Sequence, residues 1–228
     1  MTDQSSPTVT IQRLLEEGRA HIQEKTPSQA RSRFAEAWTL ATSSSADSLA
    51  VEAALMLAVV EPQKAQQGWI ERAITLAEKS QQADAKRWLG GLYTSLGWKL
   101  FDLRQYEAAV KIFQKSLDHF TTQPDARREI FVTKWSIGKL LRVMGRTDEA
   151  LAMQNALLAE LGAGDPKDGR LFEELAECLH ALKRTVEAQT YFELAYRELY
   201  NDQWIIDNQP ATLKRLKELG KFKMEKPS

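Results

Sequence analysis

The 228-residue sequence holds a single cysteine, Cys178. One cysteine cannot close an internal disulfide, which favours a reducing compartment. No apolar run approaches the roughly 20 residues needed to span a bilayer. The stretch 1–8 is polar and lacks the basic-then-apolar order of a signal peptide. These features point to the cytoplasm, with no membrane association. The chain also lacks net charge: lysine plus arginine and aspartate plus glutamate both number 31. Bulk charge therefore argues against nonspecific binding to nucleic acid or anionic lipid.

Catalytic signatures are equally scarce. The three histidines, His21, His119 and His180, are scattered, and no two have metal-ligand spacing. Gly90 and Gly91 sit in a helical stretch rather than after a strand, so they form no phosphate-binding loop. No Ser-His-Asp or Cys-His set can be assembled. Glu177 and His180 form one Glu-x-x-His pair, with Glu173 a turn earlier. Di-iron carboxylate bundles require two such pairs plus further glutamates. A metal-dependent helical enzyme is thus an alternative with half its ligand set missing. No cofactor, metal or catalytic residue is expected.

What the sequence does have is internal repetition. The segment 92–117 reads as two amphipathic helices joined by a tight turn, with a small residue where they touch. Small residues recur at the same point in five segments: Gly18, Ala54, Gly97, Gly138 and Ala176. Sixteen residues after each stand Phe34, Ile70, Phe113, Gln154 and Phe192, mostly large and apolar. Between these marks, twelve residues past each anchor, come Ala30, Gln66, Ala109, Ala150 and Ala188. A hollow on one helix facing a bulge on the next lets a pair cross closely and locks successive pairs together. Pro27, Pro62, Pro124, Pro166 and Pro210 all fall between helices or at their starts, where proline is tolerated. The stretch 211–222 carries Leu213, Leu216 and Leu219 at helical spacing and reads as a capping helix.

These residues resemble the tetratricopeptide repeat family. Leu96, Gly97, Ala109 and Phe113 match its pattern, as do Gly18, Ala30, Phe34 and Ala37. Gly145, Arg146, Asp148 and Glu149 resemble its inter-helix turn. The family period is about 34 residues, whereas the anchors here lie nearer 40 apart, the excess being clearest before Gly97. The resemblance implies an all-α fold: a superhelical solenoid of five helix pairs and a cap. One repeat domain is expected over 9–222, between a disordered tail at 1–8 and a basic one at 223–228.

The resemblance also implies a function. Members of this family bind proteins or peptides along a concave groove lined by the first helices. Projecting that face selects Trp98 and Phe101 in the third repeat. In the fourth it selects Arg128, Trp135, Lys139 and Arg142, and in the fifth Glu173, Glu174, Glu177 and His180. Over 127–146 six basic residues face one acidic one. Tryptophan and arginine dominate interface energies. The expectation is a non-catalytic adaptor in which Trp98 and Trp135 present apolar surface while Lys139 and Arg142 hold an acidic group of the partner. The early repeats lack the asparagine of the family's carboxylate clamp, so acidic chaperone tails are not expected ligands. RNA binding is the alternative; it needs a basic stripe continuous across repeats, and the acidic fifth repeat interrupts one. Self-association through the convex face is a further possibility.

Overall fold

The computed structural model describes residues 6–162 and 167–221. Among them the secondary structure is entirely helical. The helices fall into two compact units, the first ending at Ala126 and the second beginning at Arg127. The first helix begins at Pro7, so Pro7 and Thr8 are helical rather than part of a tail. The region 223–228 and Pro166 lie outside the described residues.

The first unit contains α1 (Pro7–Gln23), α2 (Pro27–Ser43), α3 (Asp47–Val60), α4 (Gln63–Lys79), α5 (Ala83–Arg87), α6 (Leu89–Asp102) and α7 (Tyr106–Thr121). Three helix pairs, α1/α2, α3/α4 and α6/α7, carry its packing. The residues that set the repeat are its core: Ala30, Phe34, Ala37, Ala73, Ala109 and Phe113 are all fully buried. The long interval before Gly97 is explained by α5, a short helix whose Ala85 is buried.

The second unit contains α8 (Arg127–Val143), α9 (Thr147–Glu160), α10 (Gly169–Ala181), α11 (Thr185–Leu199), α12 (Gln203–Asn208) and α13 (Pro210–Leu219). Here α8 pairs with α9 and α10 with α11, and α13 covers α11 through buried Leu216. The short α12, anchored by fully buried Ile205, was not legible as a helix in the repeat pattern.

Three pairs, α1/α2, α6/α7 and α8/α9, share one close contact. A Cβ on Gly18 would overlap the Phe34 ring, and one on Gly97 would lie 2.8 Å from Phe113. The glycine hollow receives the aromatic bulge sixteen residues on. In the fourth pair the bulge is Gln154, whose amide nitrogen lies where a Cβ on Gly138 would need to be. Gln154 is fully buried; its Nε2 donates to the Trp135 carbonyl at 3.2 Å, and its Oε1 has no partner.

Four of the turns within pairs share a C-cap geometry. Lys25, Arg104, Gly145 and Lys183 adopt positive φ of 58°, 59°, 81° and 61°. The following N–H groups of Thr26, Gln105, Arg146 and Arg184 reach back to the carbonyls of His21, Leu100, Leu141 and Leu179. This satisfies carbonyls that the helix end would otherwise orphan. Glycine suits such a residue, and only Gly145 supplies it.

Candidate functional site

Of the residues selected from sequence, Trp98 and Phe101 belong to the first unit and the other eight to the second. Trp98 is half-buried, its ring edge-on to Phe113 and Phe101, both at 5.4 Å between centroids. Phe101 in turn packs on Tyr106 at 5.6 Å. These four rings tie the end of α6 to α7, so much of the apolar surface assigned to a partner serves the helix pair itself. Beside them Lys99 is almost wholly buried and donates to the Gln66 side chain at 2.9 Å. Gln66, the residue that breaks the alanine pattern of the second repeat, thus accepts a buried lysine.

The second unit brings together a denser set. On α8, Trp135, Lys139 and Arg142 share one stripe, as the i, i+4, i+7 spacing requires. Opposite them on α10 stands Glu174, with no solvent exposure. Lys139 donates to it at 2.9 Å, and Arg142 grips both oxygens at 2.7 and 3.1 Å. The two cations that the sequence assigned to a partner's acidic group are therefore engaged within the chain. A buried carboxylate needs such partners, because desolvation otherwise drives it to neutrality. Burial acts to raise the Glu174 pKa, but the hydrogen bonds and charges of Arg142 and Lys139 outweigh it and hold the carboxyl below the usual range.

Glu173, the preceding residue, has the opposite fate. It is half-buried, and its Oε2 is enclosed without a hydrogen-bond partner. Burial, with the nearby Glu174 and Glu177 charges, raises its pKa against the pull of Lys139 and Arg170. Glu177 is held by Arg215 of α13 at 2.8 and 3.1 Å. Arg128 is exposed at the start of α8.

Two residues outside the projection complete the surface. Asp168 caps α10 by accepting from the backbone N–H groups of Arg170 and Leu171 at 2.9 and 3.0 Å. This fixes Arg170, whose carbonyl accepts the Trp135 indole N–H at 3.2 Å. The Arg170 guanidinium donates to Gln209 at 3.0 Å and lies 5.3 Å above the Trp204 ring. Asp202 caps α12 through the Ile205 N–H, and Trp204 is the second residue of that helix. Lys139 lies 5.2 Å over the Trp135 ring. The result is a series Lys139, Trp135, Arg170, Trp204, with Trp204 55% exposed. The projection could not reach Trp204, which lies between the last pair and the cap, outside the repeat phase. Its available signal was Asp202, an N-cap residue three positions before a buried isoleucine.

Among the described residues no group of three or more His, Cys, Asp or Glu side chains is arranged to hold a metal ion. His180 is exposed, with its ring edge on Phe192, and Glu177 faces Arg215. Cys178 is a buried free thiol whose pKa burial pushes up to about 12. Among the described residues no helix is long and apolar enough to cross a membrane.

No protein-family model matches the sequence, and no curated protein does. Solved structures do. The tetratricopeptide-like repeats of a putative kinesin light chain from Podosopora anserina align with a TM-score of 0.69 at 13% identity, covering 88% of this chain and 99% of that one. BtubC (BKLC) from P. vanneervenii aligns at 0.66 and 15% identity, covering 99% and 96%. YrrB, described as a TPR protein with an unusual peptide-binding site, aligns at 0.57 and 16%, covering 90% and 98%. At these identities the likeness shows the fold: an all-α helical repeat of the tetratricopeptide type.

Proposed function

We propose that this chain is a non-catalytic scaffold that binds a protein or peptide segment on the first-helix face of its second unit. The observation that carries the reading is the pair Trp135 and Trp204, joined through Arg170, with Trp204 more than half exposed beside half-buried charged groups. An exposed tryptophan next to a fixed guanidinium is the residue pairing that concentrates binding energy in interfaces. The fold supports the reading by analogy, since YrrB shares it and is described as having a peptide-binding site. A reducing compartment such as the cytoplasm suits the single buried thiol.

The charge pairing favours a protein ligand over RNA. Phosphate binding needs cations free to replace counterions. Lys139 and Arg142 are on Glu174, Lys134 is on Glu160 at 2.6 Å, and Arg215 is on Glu177. Trp98 and Phe101 enter the proposal only as supports of the first unit's packing.

The test compares tagged wild type with Trp204→Ala and with Trp204→Ala/Arg128→Glu. Proteins recovered with wild type are re-tested against the purified variants by calorimetry. A hot-spot tryptophan costs about 2 kcal/mol or more on truncation, so binding should weaken about thirtyfold. Equal affinity for all three proteins, at equal thermal stability, would remove this face from the function.

A further inference from the structure

Glu174 accepts from Lys139 and Arg142. Both oxygens of Glu177 face Arg215. The Arg170 guanidinium is on Gln209 and over Trp204, and its carbonyl holds the Trp135 indole. Among the buried side-chain atoms of this face, Glu173 Oε2 is enclosed and without a hydrogen-bond partner. Buried polar atoms in folded proteins are nearly always paired, and an exception calls for an explanation.

We infer that Glu173 sets the specificity of this surface, and that the bound segment places an N–H donor, amine or amide, on its carboxyl while laying apolar surface against Trp204. This rests on the scaffold reading above. An ionised carboxylate only accepts hydrogen bonds, so it calls for a donor. A partner carboxylate is disfavoured twice. It meets Glu173 as a like charge, and the two nearest cations of α8 are saturated by Glu174, which has no solvent exposure. Burial of Glu173, which raises its pKa, shows that its charge is poorly solvated and would gain from a partner. Trp204 lies under the Arg170 guanidinium, and over half of it is exposed to receive an apolar side chain.

The experiment uses the full chain and four pools of fluorescent nine-residue peptides, random except for a Leu beside a fixed central Lys, Gln, Leu or Glu. Binding is read by anisotropy for wild type, Glu173→Leu and Trp204→Ala, each first checked by circular dichroism and thermal melting. Wild type should bind the Lys and Gln pools at least fivefold more tightly than the Leu and Glu pools. Glu173→Leu should erase that ranking, and Trp204→Ala should weaken every pool. Lys above Gln would assign an amine donor, and Gln above Lys an amide. A Glu pool that binds as well as the Lys pool, or an unchanged ranking in Glu173→Leu, overturns the donor assignment. If Trp204→Ala still weakens all pools in that case, the scaffold reading stands alone. If no pool binds wild type, both readings fall.

Discussion

Arg142 on α8 holds Glu174 on α10 through two parallel N–H donors, at 2.7 and 3.1 Å, and the carboxylate they hold has no exposed surface. Lys139 adds a third donor at 2.9 Å. This clamp joins the two helix pairs of the second unit.

Removing the anion should be costly. Glu174→Gln leaves Lys139 and Arg142, each 21% exposed, without the carboxylate that pairs them. Breaking a buried pair from one side costs about 3–5 kcal/mol, to be read by urea denaturation at pH 7. The triple change Lys139→Met, Arg142→Met, Glu174→Leu should recover most of the loss, because it removes the charges together. Glu174 is held below the ordinary carboxylate range, so its contribution is present above about pH 4.3 and disappears as pH falls through the lower folded value.

Glu173 should behave in the opposite sense. Its folded pKa is raised by burial, so its contribution is present below about pH 4.3 and is lost as pH rises through the folded value. Glu173→Gln should therefore stabilise the second unit at neutral pH, by about 1 kcal/mol, and give no gain in acid. Melting curves at pH 4 and pH 7.5 check this; an equal effect at both would show that charge is not the cause.

Gln154 occupies the position that Phe34, Phe113 and Phe192 hold in three other repeats, facing a glycine as Phe34 and Phe113 do. Gln154→Phe gives up one hydrogen bond to the Trp135 carbonyl but removes an unpaired buried Oε1. An unpaired acceptor costs about 1–3 kcal/mol and a single bond contributes about 0.5–1.5. A net gain of about 1 kcal/mol is expected in urea denaturation. A loss would mean that the α8/α9 hollow is too narrow for a ring.

Lys183 sits at φ 61° in the turn between α10 and α11. A non-glycine residue there costs about 1–2 kcal/mol, against about 0.5–1 for glycine's greater freedom when unfolded. Lys183→Gly should raise the melting temperature, with a gain of about 0.5–1 kcal/mol, while Gly145→Lys at φ 81° should lower it.

Much of this architecture was legible before folding was considered. The sixteen-residue spacing from Gly18 to Phe34 and from Gly97 to Phe113 is short in sequence and needs one turn to become a contact. The surplus of residues before Gly97 was visible in the spacing, but not that it forms a separate short helix, α5. The binding face was less legible. Projection placed Trp135, Lys139 and Arg142 on one stripe, but a projection has no partner helix in it, so it left the cations open to a ligand. It also treated Glu173, Glu174 and Glu177 as one acidic face.

The sequence by itself determined the five helix pairs and the small and large residues at their crossings, because these depend on contacts within about 16 positions and on the steric fit of a small residue against a large one. Only the tertiary structure decided which charges remain available. That depends on residues more than 30 positions apart, as Arg142 is from Glu174 and Trp135 from Arg170. It also depends on a burial difference between two neighbours, Glu173 and Glu174, that a one-dimensional pattern assigns to the same face. A hundred-degree rotation per residue is enough to turn one carboxylate into the core against two cations and leave the other at its edge with an oxygen unpaired.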